Sequence, residues 1–164
     1  MRNCSFYQRL VTERQGLLSQ INPNNHPENA NCPETADAVN DFLNTGRIRQ
    51  VRTASSTASF VFPPGVTFIR TSNIHQTATN LPNCSHVVVK GIRGRGRAQT
   101  TALEHYFVIF KCNHVVYVAD AYTLELVHGV QAYINAEVEN NRMRDFFIAS
   151  QNYDVTINDP LAGI

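Results

Sequence analysis

No stretch of this chain approaches the ~20 consecutive apolar residues that a membrane-spanning helix requires. The N-terminal segment MRNCSFYQRLVTERQ also lacks the apolar core of a secretory signal. Two readings fit that absence: a protein that stays in the cytosol, or a domain cut from a longer chain. The chain has almost no net charge, at +1, which argues against generic nucleic-acid binding through bulk electrostatics. Cysteines are few. Cys4, Cys32, Cys84 and Cys112 contain no CxxC pair, so the chain lacks the commonest dithiol and metal-binding spacing. An even count permits two disulfides, but the sequence is neither short nor cysteine-dense, and most of the four are expected to be free thiols.

At 164 residues the chain fits one domain, covering 1–164. A chain of this size buries roughly two-thirds of the surface exposed when unfolded, enough for a core without metal or crosslink. Residues 5–21 place Phe6, Leu10, Leu17, Leu18 and Ile21 at helical spacing. The Asn- and Pro-rich run INPNNHPENAN then interrupts the pattern. A second helix is expected over 33–45. Pro33 suits a first helical position, Glu34 suits the positive end of the helix dipole, and Ala36, Val39, Phe42 and Leu43 give an apolar face. Gly46 supplies the stop.

The middle of the chain reads as β-rich, with short strands expected at 47–51, 58–62, 66–70 and 86–90 and a PPG turn at 63–65. Residues 71–83 read as a long polar loop, and GIRGRGRAQTTA as a flexible basic segment. Two strong strands follow, EHYFVIFK and VVYVADA. Helical patches are expected within 124–149, around VQAYINAEV and MRDFFIAS.

This organisation places Cys32 at the start of a helix, where unpaired N–H groups and the dipole favour a thiolate. A thiolate nucleophile needs a base, and the base needs an orienting acceptor. The segment EHYFVIFK-CNH-VVYVADA reads as a β-hairpin turning on Asn113 and His114. In that register Phe110 faces Tyr117 and Phe107 faces Asp120, so His105 and Asp120 become diagonal neighbours on one face, roughly 7–8 Å apart at the backbone. A slip of one residue would separate them. Cys32 is then a candidate nucleophile, His105 a candidate general base and acid, and Asp120 the group that fixes the imidazole. A carboxylate inside an apolar strand demands such a partner.

The blander readings are a buried structural thiol for Cys32, a satisfied strand histidine for His105, and a turn cap for Asp120. His86 is a rival base, although no hairpin brings it a carboxylate. Cys84, His86, Cys112 and His114 have the softness for zinc, but their spacing along strands suits tetrahedral geometry poorly. The basic run carrying Lys90, Arg93, Arg95 and Arg97 has no interleaved aromatics for base stacking. Arg93, Arg95 and Arg97 are therefore read as part of a mobile loop suited to an acidic substrate or partner.

NPNNHPENANCPETADAVNDFLNTG and HYFVIFKCNHVVYVADAYT together resemble the papain-fold toxin domains at the C-termini of bacterial polymorphic toxins. The resemblance covers roughly residues 22–46 and 104–123. It implies an α+β, papain-like fold, with N-terminal helices and the nucleophile helix packed on an antiparallel sheet. It also implies a cofactor-free Cys-His-Asp amide hydrolase, with Cys32, His105 and Asp120 in the three roles. The activity is that of a cysteine peptidase or, alternatively, a protein glutamine deamidase. The plant-type CGSCW motif is absent, the third member is Asp rather than Asn, and the usual oxyanion Gln has no clear counterpart. Gln20 and Asn31 are the candidates for that donor. The expected partners are a protein substrate in a target cell, after delivery to its cytoplasm, and a cognate immunity protein that blocks the cleft. No nucleic acid, metal or membrane span is expected. A non-catalytic binding module that uses the basic loop is the reading from a different class.

Overall fold

The computed structural model describes residues 4–23, 32–51, 61–93, 104–141 and 143–150. It is an α+β protein in which a six-stranded antiparallel sheet separates two groups of helices. The helices are α1 (Ser5–Glu13), α2 (Gln15–Ile21), α3 (Cys32–Thr45), α4 (Ile74–Asn80) and α5 (Val130–Asn141). The strands are β1 (Phe68–Thr71), β2 (Ser85–Arg93), β3 (Glu104–Cys112), β4 (Val115–Asp120), β5 (Glu125–His128) and β6 (Met143–Ala149), in the spatial order β1-β6-β2-β3-β4-β5.

Alternation along the strands produces two apolar cores. On β3, Tyr106, Val108 and Phe110 face α1, α2 and α3, where they pack with Leu10, Leu17, Ile21, Val39 and Phe42. Phe107 and Ile109 face the other way, towards α4 and α5, and join Ile74, Val130, Tyr133 and Phe146. Central strands that bury both faces carry near-continuous apolar runs, as β3 does. The two faces also set limits on local size: a Cβ on Gly91 would run into the buried Met143 side chain of the neighbouring strand.

The 5–21 segment is two helices, because Arg14 takes φ 46° between them. Both halves still bury the expected face, with Leu10, Leu17, Leu18 and Ile21 fully inside. Helix α3 begins at Cys32, and Gly46 ends it with φ +77°, its N–H returning to the Phe42 carbonyl. A side chain at Gly46 would meet the Phe6 ring, so glycine is required there for both space and backbone conformation.

Four expectations are corrected. Residues 47–51 form no strand: Arg49 pairs with Asp37 on α3, and the buried Val51 donates its N–H to Ile21, so the segment packs on helices instead of a ladder. The polar stretch 71–83 contains α4, started by an N-cap in which Asn73 Oδ1 accepts from the Gln76 N–H at 3.1 Å. MRDFFIAS is strand β6, which fills the place between β1 and β2. Finally, two of the four cysteines are crosslinked: Cys4 bonds to Cys84, with Cα atoms 5.1 Å apart, while Cys32 and Cys112 are free and buried. Burial pushes the Cys112 thiol up. The PPG turn is present, with Val66 N–H bonded to the Pro63 carbonyl. Most of 58–62 lies outside the described residues. Among the described residues no helix is long and apolar enough to cross a membrane.

The Cys4–Cys84 bond closes a separation of 80 residues. Replacing both cysteines with serine is expected to lower unfolding free energy by about 2–4 kcal/mol, because the crosslink restricts the unfolded chain. A urea titration of the double variant beside the parent measures it.

Candidate functional site

The β3–β4 hairpin fixes the site. Asn113 and His114 both take positive φ, at 52° and 67°, the backbone of a two-residue hairpin turn whose twist matches the strands. The ladder then runs from Cys112↔Val115 through Phe110↔Tyr117 to Val108↔Ala119. This is the register expected from the sequence; continued one step beyond the last paired residues, it brings Asp120 level with Phe107. Past that pair β4 ends, while β3 continues along β2 with His105 opposite Gly91. The imidazole therefore stands where one neighbouring strand has left the sheet.

His105 and Asp120 are both buried, and the ring nitrogen Nε2 lies 2.7 Å from Asp120 Oδ2. The other carboxylate oxygen, Oδ1, accepts the backbone N–H groups of Tyr122 at 3.0 Å and Thr123 at 3.2 Å. The sequence reading did not include Tyr133. Its hydroxyl donates to Asp120 Oδ2 at 2.7 Å and sits 3.1 Å from His105 Nε2. Tyr133 comes from α5, one turn after Gly129, and stacks obliquely on Phe107 with ring centroids 4.8 Å apart. A tyrosine in VQAYINAEV carries no sign of this role in the sequence, because only the path through β5 brings α5 over Asp120. Each hydrogen bond satisfies a group whose burial would otherwise be costly.

Electrostatics bind the three groups further. Burial alone would drive a proton off His105, but the Asp120 charge and hydrogen bond overcome it, and Cys32 adds to them by hydrogen bonding and by charge. The net result is a pKa raised to about 10. Burial opposes ionisation of Asp120 as well, yet the His105 charge and the hydrogen bonds from His105, Tyr133 and Thr123 hold its carboxyl below the usual range. Nε2 is taken up by Asp120 and Tyr133, which leaves Nδ1 to serve another partner. Cys32 opens the first turn of α3, which packs on β3. Asn22 braces this end of the site. Just past α2, it is buried and donates through Nδ2 to the Ala121 carbonyl at 3.0 Å, tying the chain that leads towards Cys32 to the residue after Asp120.

The other sequence candidates lie elsewhere. His86 is pinned between Tyr7 Oη and Asn40 Oδ1, each at 2.7 Å, so both of its ring nitrogens are used in holding α1 and α3 to β2. Gln20 is exposed near the end of α2, and Asn31 lies outside the described residues. Arg93 ends β2, while Arg95 and Arg97 lie outside the described residues. Cys84 is committed to its disulfide and cannot serve as a zinc ligand. Among the described residues no cluster of three or more His, Cys, Asp and Glu side chains is arranged to hold a metal ion.

The pair has a pH signature. A histidine whose proton affinity is raised on folding stabilises the fold fully below its unfolded value near 6.5, and that contribution is lost as pH rises towards 10. Asp120, lowered on folding, contributes above its ordinary value near 3.8 and loses that contribution in stronger acid. The melting temperature is therefore expected to decline from pH 6.5 towards 10. The double variant His105→Gln/Asp120→Asn, which removes both charges together, is expected to lack that decline. Calorimetry across this pH range decides it.

No protein-family model matches the sequence, and comparison with curated proteins finds no match.

Proposed function

We propose that this chain is a papain-like, thiol-dependent amide hydrolase that cleaves peptide bonds through Cys32, His105 and Asp120. The observation that carries the reading is the buried imidazole held 2.7 Å from a buried carboxylate, on the strand against which the Cys32-bearing helix packs. A structural histidine needs one satisfied partner. An arrangement that aligns thiol, imidazole and carboxylate in sequence is what nucleophilic catalysis requires.

The chemistry follows from the charges. With its proton affinity raised to about 10, His105 is imidazolium at neutral pH, and the reaction starts from the Cys32 thiolate. The sulfur attacks the carbonyl carbon, forming an S–C bond as the C=O π pair moves onto the oxygen to give a tetrahedral oxyanion adduct. On collapse the C–N bond breaks and the amine departs with the His105 proton. Acylation consumes the negative charge on sulfur, one of the causes that hold the proton on the ring, so His105 becomes a better acid as the proton is needed. Water then gives a proton to His105, attacks the thioester and releases the acid, restoring the sulfur–imidazolium pair. Asp120 keeps the ring oriented and balances its charge throughout. No cofactor enters this scheme.

The resemblance to polymorphic-toxin domains gives this activity a setting: delivery into a target cell, a protein substrate there, and an immunity protein in the producer that covers the cleft. If the attacked amide is a glutamine side chain, the same steps release ammonia and the protein is a deamidase.

Mass spectrometry of cell extract treated with the protein tests both chemistries. New fragments are expected with the parent chain and none with Cys32→Ala, while circular dichroism shows that the variant stays folded. A gain of about one mass unit without fragments would mean deamidation, since an acid has replaced an amide. An effect unchanged in Cys32→Ala would reduce the chain to a binding module. Asp120→Asn is expected to lower kcat/KM by about 10⁴-fold by disturbing the tautomer and orientation of the ring. Tyr133→Phe, which removes one donor from the carboxylate, is expected to cost about tenfold.

A further inference from the structure

Three of the four sulfurs gather at the far end of β3 from His105. Cys112 ends that strand, and its side chain is buried on the face that Tyr106, Val108 and Phe110 turn towards α1, α2 and α3. Cys84 is buried in the same cluster, and Cys4 packs against it. Cys4 and Cys84 are bonded to each other, while Cys112 is a free thiol.

The backbone brings Cys112 within reach of that bond. The β2–β3 ladder begins at Ser85↔Lys111. One residue before it, Cys84 takes φ 59° and donates its N–H to the Lys111 carbonyl at 2.9 Å. A single hydrogen bond and a single peptide unit therefore separate the α-carbons of Cys84 and Cys112, which standard dimensions hold within about 7 Å. Disulfides bridge α-carbons up to that separation. Cys4 is suited to depart. It is the N-cap residue of α1, where unpaired N–H groups and the helix dipole favour a thiolate, and a stabilised thiolate leaves faster.

We propose that Cys112 is a resolving thiol for the Cys4–Cys84 disulfide, and that exchange among the three sulfurs unfastens α1 from the sheet. The Cys112 thiolate forms a bond to Cys84 Sγ. The Cys84–Cys4 bond breaks, its electron pair leaves on Cys4 Sγ, and that sulfur takes a proton from water to replace the one Cys112 lost. One disulfide and one thiol are present before and after, so neither oxidant nor reductant is consumed. The new crosslink lies within the β2–β3 pair and no longer holds α1. Burial keeps Cys112 protonated at neutral pH, so the bond rests on Cys4 until the pH rises. The device is independent of any chemistry at Cys32.

Trypsin leaves each of the four cysteines on its own peptide, so disulfide mapping by mass spectrometry reads every pairing. The protein is held between pH 7 and 9 without reductant, then alkylated with N-ethylmaleimide in mildly acidic urea. A Cys84–Cys112 peptide is expected, with alkylated Cys4 in equal amount, forming about tenfold faster per pH unit as the thiolate fraction rises. Cys112→Ser and Cys112→Ala are expected to keep Cys4 unlabelled. Amide hydrogen exchange of the rearranged form is expected to show protection lost across α1 and kept in the sheet. Absence of the Cys84–Cys112 peptide at every pH, labelling of Cys4 without Cys112, equal pairing of Cys32 with the others, or an α1 that stays protected would each overturn the proposal. Cys4→Ser treated with oxidised glutathione asks only whether the two sulfurs meet. Closure of Cys84–Cys112 is expected, and a Cys84 that ends solely as the glutathione adduct sinks the idea.

Discussion

Two buried ionisable groups 2.7 Å apart hold the site in place. Neither His105 nor Asp120 is tolerable alone inside this protein: an isolated buried charge is costly, and removing either partner leaves the other exposed to that cost. Together, with Tyr133 and two backbone N–H groups on the carboxylate, they form a closed network with every acceptor position on Asp120 used. The network also fixes geometry, because β3, the end of β4 and α5 each contribute a member. Movement of any of these elements would break a hydrogen bond that has no water to replace it.

The rest of the fold is arranged around that point. The hairpin carries Asp120 to the end of β4, where it pairs with Glu125 of β5, and α3 packs on β3. Cys32 belongs to the core on the α3 side, whereas His105 aligns with Phe107 on the α5 side. The ladder between β3 and β4 ends at Val108↔Ala119, short of His105.

The hairpin was legible because its evidence is local. Asn113 and His114 tolerate the turn, alternation fixes the faces, and one register alone pairs Phe110 with Tyr117. Helix α3 was legible for the same reason, from Pro33 at its start and Gly46 at its end. What the sequence hid depends on distant contacts. Tyr133 meets Asp120 only after the chain has formed β5 and turned at Gly129. MRDFFIAS has apolar residues that fit either period, and pairing with β1 and β2 makes it a strand. RIRQV has β propensity, yet α2 and α3 offer Val51 and Arg49 better partners than any ladder does. The short helix over 74–80 is announced by the Asn73 cap, a signal outweighed on paper by the polarity around it.

The bond between Cys4 and Cys84 has a consequence for the lifetime of the molecule. It fastens α1 to the start of β2, and α1 in turn supports α3 through Phe6 against Phe42 and through the Tyr7–His86–Asn40 chain. Cys84 is 2 % exposed, whereas Cys4 is only half-buried, so a small reductant gains its first access at Cys4. In an oxidising compartment the brace is durable. In a glutathione-rich one reduction begins at Cys4, and opening the bond loosens the scaffold on which α3 rests.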